Sequence, residues 1–159
     1  MDLLTPALLA ALCANAAAQE EAQRANAREP DPVPVVKFFN PVGAATWLAT
    51  ELDADGDTLF GLADLGFGCP ELGAFSLSEI AALRLPFGLG IERDLGFATA
   101  VPLSVWADTA RRAGSILSAA QLLGPVEAHY RARAATGPVP GDADAPSSDP
   151  LPSPDPGDG

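Results

Sequence analysis

Two periodicities of apolar and polar positions divide this chain. From Pro6 to about residue 27 the pattern is helical, with apolar Ala and Leu giving way to Gln19-Glu20-Glu21-Ala22-Gln23-Arg24, all strong helix formers. Thr5 followed by Pro6 reads as an N-cap and a first-turn proline. Pro30-Asp31-Pro32-Val33-Pro34 ends that helix and predicts an extended entry. The period then falls to two. Val35 to Phe39 is a strand by its β-branched and aromatic content. Ala45 to Leu52 is a second strand, with Trp47, Ala49 and Glu51 on one face and Thr46, Leu48 and Thr50 on the other. Thr58 to Leu65 is a third. The connections Pro41-Val42-Gly43 and Asp53-Ala54-Asp55-Gly56-Asp57 are too short for parallel crossovers, so the strands form an antiparallel meander. Gly73-Ala74-Phe75 is a further short extended segment.

Ser76-Leu77-Ser78-Glu79 fits a capping box and predicts a short helix over Leu77–Arg84, stopped by Pro86. Ile91 to Leu95 is the last strand expected. Pro102 opens a longer helix whose apolar stripe is Trp106, Ala110, Ala113, Leu117 and Ala120. Gly124-Pro125 is expected to end it, with a separate short basic helix after it. Four segments result: an N-terminal helix in 1–29, an α+β core in 30–124, a basic helix in 125–135, and a Pro/Asp/Gly tail in 136–159 with nothing to bury, expected to be disordered. The fold class is α+β: a small antiparallel meander packed with an N-terminal, a short middle and a C-terminal helix.

Charge narrows the choice of partners. Nine Lys and Arg against 21 Asp and Glu leave a net charge of −12, and 48% of the residues are apolar. The apolar content excludes a wholly disordered chain. The acidity argues against direct nucleic-acid binding, which needs a basic footprint to displace counterions from phosphates. Two cysteines make neither a disulfide framework nor a four-thiolate zinc site. The apolar start resembles a signal peptide, but the only charge before its apolar run is Asp2, where a positive charge is required. Residues 1–18 are therefore expected to be retained, in a cytoplasmic protein, and no run is long enough to predict a membrane span.

Candidate chemistry is sparse. Asp53-x-Asp55-x-Asp57 resembles the start of a calcium loop, but Thr58 stands where that loop requires Gly and the shorter Asp64 where it requires Glu. An acidic hairpin turn is the plainer reading; calcium or magnesium is the other. Glu51, Asp64, Glu92 and Asp94 lie on predicted strands and could together hold a divalent metal, as carboxylates do in metal-dependent nucleases. Glu92-Arg93-Asp94 brings its own counter-ion, which favours a structural ion-pair knot. In that knot Arg93 shares a face with Ile91 and Leu95 and pairs with Glu51, or failing that with Asp64. The lone His129 leaves no base for a serine or cysteine nucleophile. No phosphate-binding or dinucleotide-binding glycine motif is present, and no cofactor is expected.

Several motifs occur together and in order. Asp31-Pro32-Val33-Pro34-Val35-Val36-Lys37-Phe38-Phe39-Asn40-Pro41 is followed by Ala45-Thr46-Trp47-Leu48-Ala49-Thr50-Glu51-Leu52-Asp53. Phe60-Gly61-Leu62-Ala63-Asp64-Leu65-Gly66, Pro70-Glu71-Leu72-Gly73, Phe75-Ser76-Leu77-Ser78-Glu79 and Gly88-Leu89-Gly90-Ile91-Glu92-Arg93-Asp94-Leu95 come next. Over about residues 3–118 the chain resembles the small bacterial family called domain of unknown function 2958. It departs from the pattern at Leu85-Pro86-Phe87, and the tail lies outside it. The resemblance implies an intracellular protein of plasmid or mobile-element type and no assigned activity. The expected role is a protein-binding module, with a DNA-binding host or plasmid protein as one possible partner, its carboxylates imitating phosphates. The alternative is a metal-dependent enzyme acting on nucleic acid through the sheet carboxylates. Carboxylates converging in a concavity favour the enzyme; carboxylates spread along a convex ridge favour binding.

Overall fold

The structure is a computed structural model that describes residues 2–137. Its elements are helix α1 (Pro6–Arg24), strands β1 (Val36–Phe39), β2 (Thr46–Leu52), β3 (Thr58–Asp64) and β4 (Glu71–Ser76), helix α2 (Leu77–Ala82), a 3-10 turn at Pro86–Gly88, strand β5 (Glu92–Arg93), and helices α3 (Leu103–Ala113) and α4 (Ile116–Thr136). The sheet order is β4-β3-β2-β1-β5. Every pairing is antiparallel. The α+β class and the meander follow from the short hairpin connections, as the sequence predicts. What composition did not anticipate is that β5 returns to the free edge of β1, placing Arg93 opposite Phe38 and Glu92 opposite Phe39.

Both faces of the sheet are covered. On one, Leu12 of α1 is fully buried against Val36, Phe38, Trp47, Ala49, Leu52, Leu59 and Ile80. On the other, Leu48 and Leu62 meet Trp106, Ala107 and Ala110 of α3 and Ile116, Ala119 and Leu123 of α4. Thus α1 belongs to the core, and β2, central and enclosed on both faces, is buried at every position except Glu51.

Local signals place the helix starts. Thr5 Oγ1 accepts from Leu8 N at 3.2 Å. Ser76 Oγ accepts from Glu79 N at 3.2 Å, which is half of the expected capping box. The next donor, Ser78 N, bonds instead to Asp57 Oδ1 at 2.7 Å across the hairpin. α3 begins after Pro102, as expected, but its capping side chain is distant in sequence: Asp31 accepts from Ser104 N at 3.1 Å and from the Ser104 hydroxyl.

The last helices differ from expectation in two ways. The stripe from Trp106 to Ala120 is not one helix. Gly114 adopts φ 84°, closes α3 by donating to Ala110 O at 2.8 Å, and hands over to Ser115, which caps α4. Leu117 consequently faces solvent, while Ile116 and Ala119 are buried. The second correction is at Gly124-Pro125, which does not end a helix; residues 125–135 are the second half of α4. A proline there removes one backbone hydrogen bond. Packing offsets that loss, because Leu123 before it and Val126 and Tyr130 after it all pack into the same cluster. Apart from Thr136, which ends α4, and Gly137, the predicted tail lies outside the described residues. Among the described residues, no helix is long and apolar enough to cross a membrane.

Candidate functional site

The carboxylates singled out from the sequence do not converge. Asp64, at the end of β3, is fully buried. Its Oδ1 accepts from Gly66 N and its Oδ2 from Ile116 N, each at 2.9 Å. It is thus a capping anion at the start of α4, where unpaired N–H groups and the helix dipole favour negative charge.

Glu51 stands elsewhere because β2 bulges. Ala49 pairs with Gly61 but Glu51 pairs with Phe60, which leaves Thr50 as the extra residue. The bulge reverses the alternation, so Glu51 leaves the face of Trp47 and Ala49 on which simple period-two counting places it. Thr50 is held by Asn15 Nδ2, which donates to its carbonyl at 2.9 Å, and by its own hydroxyl, 3.3 Å from Phe60 O and 3.2 Å from Glu51 Oε2. Partial burial raises the pKa of Glu51, the Thr50 hydrogen bond opposes this, and the nearby charges of Asp53 and Glu29 add to the rise. A raised folded-state pKa means that ionisation of Glu51 weakens the fold as pH rises through and above the ordinary glutamate value of ~4.3. Glu51→Gln is therefore expected to raise the melting temperature at pH 7. That gain should vanish at pH 3, where both states are protonated; a gain independent of pH would contradict this account.

Two of the three aspartates of the acidic hairpin, Asp55 and Asp57, turn their carboxylate oxygens to local donors. Asp55 accepts from Asp57 N, Thr58 N and the Thr58 hydroxyl, the last at 2.6 Å. Asp57 accepts from the Ser76 hydroxyl at 2.6 Å and from Ser78 N. Hydrogen bonds from Thr58 lower the pKa of Asp55, and those from Ser76 and Ser78 lower that of Asp57. The Asp53 backbone closes the turn with Thr58 O at 2.9 Å. The turn is a scaffold joining β3 to α2. Among the described residues, no group of three metal-ligating side chains forms.

Arg93 has neither partner expected of it. Its Nη1 donates to Leu3 O at 2.9 Å and to Asp2 O at 3.4 Å, tying the edge strand to the segment before α1. The guanidinium is half-buried, its stem on the Phe38 side of the sheet. Arg93→Ala should cost about 1.5 kcal/mol, the value of a hydrogen bond to a charged group, and not the ~3–5 kcal/mol of a broken buried ion pair. A double-mutant cycle with Glu51→Ala should show coupling below about 0.5 kcal/mol; a larger value would restore the expected pair. Glu92, the fourth of these acids, is exposed on β5.

The arrangement that does form is a cleft that sequence reasoning missed. It runs along β1 on the α4 side of the sheet and has a volume of about 300 Å³. Lys37, Asn40 and Thr46 lie along its floor, Asp94 and Leu95 on the edge-strand side, and Leu117 of α4 opposite them. Lys37 Nζ is 3.4 Å from Asp94 Oδ2, and the lysine side chain is only 18% exposed. A second cavity of about 240 Å³ lies inward of the pair, between Leu48, Phe97, Trp106 and Glu127. Glu127 holds its wall: it accepts from the Thr99 hydroxyl and from Ala100 N, the latter at 2.9 Å. The available signal was that Lys37, the only lysine of the chain, alternates with Val36 and Phe38 and so had to project from the opposite face.

Large apolar side chains stand unburied around this cleft. Leu95 is 73% exposed and Leu117 47%. Val42 is exposed beside Gly43, which lines the cleft, and Gly66, between the exposed Leu65 and Phe67, packs near Ala44. Phe67 is 84% exposed.

No curated protein and no solved structure matches the chain. A family model does, over residues 3–117, the span that holds the sheet, α1, α2, α3 and the cleft. The chain belongs to the family described as protein of unknown function DUF2958.

Proposed function

We propose that this chain is a protein-binding module, an accessory protein of plasmid or mobile-element type, and that it engages its partner through the Lys37 cleft and the apolar residues around it. The observation that carries this reading is that two exposed leucines, Leu95 and Leu117, line one concave site together with Lys37, Asn40 and Asp94. Contiguous exposed apolar area rimmed by polar groups is the mark of an interface. An isolated exposed leucine would carry no such meaning. The alternative, a metal-dependent enzyme on nucleic acid, needs accessible convergent carboxylates, and Asp64 is buried as a helix cap while Glu51, Glu92 and Asp94 stand apart from it.

Affinity capture from the host cell tests the proposal. The bait is used as the full chain, as a Leu95→Glu/Leu117→Glu variant, and as an Asp53→Ser variant at the far end of the sheet. A partner retained by the full chain and by Asp53→Ser, and lost from the cleft variant, is the expected result. Capture that is indifferent to the cleft variant, or lost only with Asp53→Ser, would overturn it.

A further inference from the structure

Resting on the protein-binding reading, we infer that the Lys37 cleft holds the free C-terminal carboxylate of a partner chain that ends in an aliphatic residue. Lys37 is placed for the anion. It is mostly buried, so a charge paired with it is shielded from water more than a surface pair would be. Its ammonium has three donors, and among the described residues its one charged partner is Asp94 at 3.4 Å. Asp94 is itself supported by Gly96 N at 3.0 Å, so it can remain in place while Lys37 turns a further donor into the cleft.

Asn40 supplies a second group of the right kind. Its Oδ1 is used by Val42 N at 2.9 Å, which leaves the Nδ2 amide as its outward donor. Gly43 keeps that amide clear: a Cβ at position 43 would lie 2.7 Å from Asn40 Nδ2. A lysine and an amide donor along the floor suit a carboxylate, and Leu95 and Leu117 on the walls suit the aliphatic side chain next to it. Of the two bases in the lining, Arg93 is tied to the Leu3 and Asp2 carbonyls on the other side of the sheet, so Lys37 is the base available to a ligand. The volume, about 300 Å³, is at the small end of ligand sites and fits a terminal residue, not a folded surface. Capture of a chain terminus is an established mode of peptide recognition.

The test is a titration of the isotope-labelled full chain, followed by backbone amide shifts. The probes are a short acetylated peptide ending in leucine with a free carboxylate, the same peptide as its C-terminal amide, and hexanoate. The free-acid peptide is expected to move the Gly43, Asp94 and Gly96 signals and to bind about tenfold or more tightly than the amide, equivalent to ~1.4 kcal/mol. Lys37→Met should abolish that preference and Lys37→Arg should keep most of it. Acid and amide peptides binding equally, shifts confined to other regions, or absence of binding by the acid peptide would overturn the inference. Hexanoate binding as tightly as the acid peptide would reassign the cleft to a small carboxylate and also overturn it. The wild-type comparison of acid with amide decides the matter even if Lys37→Met fails to fold. Loss of the inference in this titration, with a cleft-dependent partner still captured, would leave the protein-binding reading intact.

Discussion

Gly61→Ala is expected to destroy the cooperative fold. Gly61 is buried in β3, opposite Ala49 of β2 on one side and Gly73 of β4 on the other. A Cβ at this position would lie 1.8 Å from the Leu48 carbonyl oxygen and 2.9 Å from its carbon. These are backbone atoms of the central strand, so no side-chain rotation relieves the clash. The strand would have to move, and β2 is packed on both faces. Ordinary overpacking costs ~1–3 kcal/mol where side chains can shift. A backbone collision between two central strands should exceed ~4 kcal/mol, a large part of the ~5–15 kcal/mol that holds a domain together. Urea denaturation followed by far-ultraviolet circular dichroism measures it. A loss below about 1 kcal/mol would mean that β2 and β3 tolerate a different separation. Gly73→Ala is the control, since a Cβ there meets nothing within 4 Å.

Removal of the buried carboxylate at Asp64 should have the next largest effect. Asp64→Ala leaves Ile116 N without its acceptor in a site closed to water, frees Gly66 N, and removes a negative charge from the start of α4. Hydrogen bonds to charged groups contribute ~1.5–3 kcal/mol, and an orphaned buried donor costs ~1–3 kcal/mol. A total loss of about 2–4 kcal/mol is expected. Asp64→Asn keeps one acceptor oxygen and should recover about half of it. The same denaturation series reports both variants. If Asp64→Asn were as harmful as Asp64→Ala, the charge at the helix start would be the dominant part; if neither mattered, α4 would be held by its apolar face alone.

Both positions show how far the sequence could be read. Gly61 lies in a segment with clear strand composition, and nothing in its neighbours announces that a carbonyl from another strand passes beneath it. Asp64 is legible as an acid on a strand, which makes it a candidate metal ligand. Only its distance to Ile116 N, 52 positions away, turns it into a helix cap. Asp31 is a parallel case, read as part of a proline-rich linker and found capping α3. Gly114-Ser115, a left-handed helix end followed by a capping serine, divides the stripe from Trp106 to Ala120 between two helices, and the apolar spacing alone does not show the break.

Features that depend on neighbours along the chain are written in the residues themselves. Capping residues Thr5 and Ser76 set helix starts because a side chain reaches a backbone N–H only a few positions on. The short polar connections set an antiparallel meander because they cannot span a crossover. The apolar fraction set a packed core. Features that depend on approach in space emerge with packing. The bulge at Thr50 moved Glu51 to the other face, the return of β5 gave Arg93 the Leu3 carbonyl in place of a carboxylate, and the packing of Leu123, Val126 and Tyr130 carried α4 through Pro125. The cleft is of this second kind: Lys37, Asn40, Asp94 and Leu117 are scattered over 81 positions and share one site because β5 closes the sheet edge beneath α4. A local pattern records which face a side chain leaves from, and only the packed fold decides what it meets there.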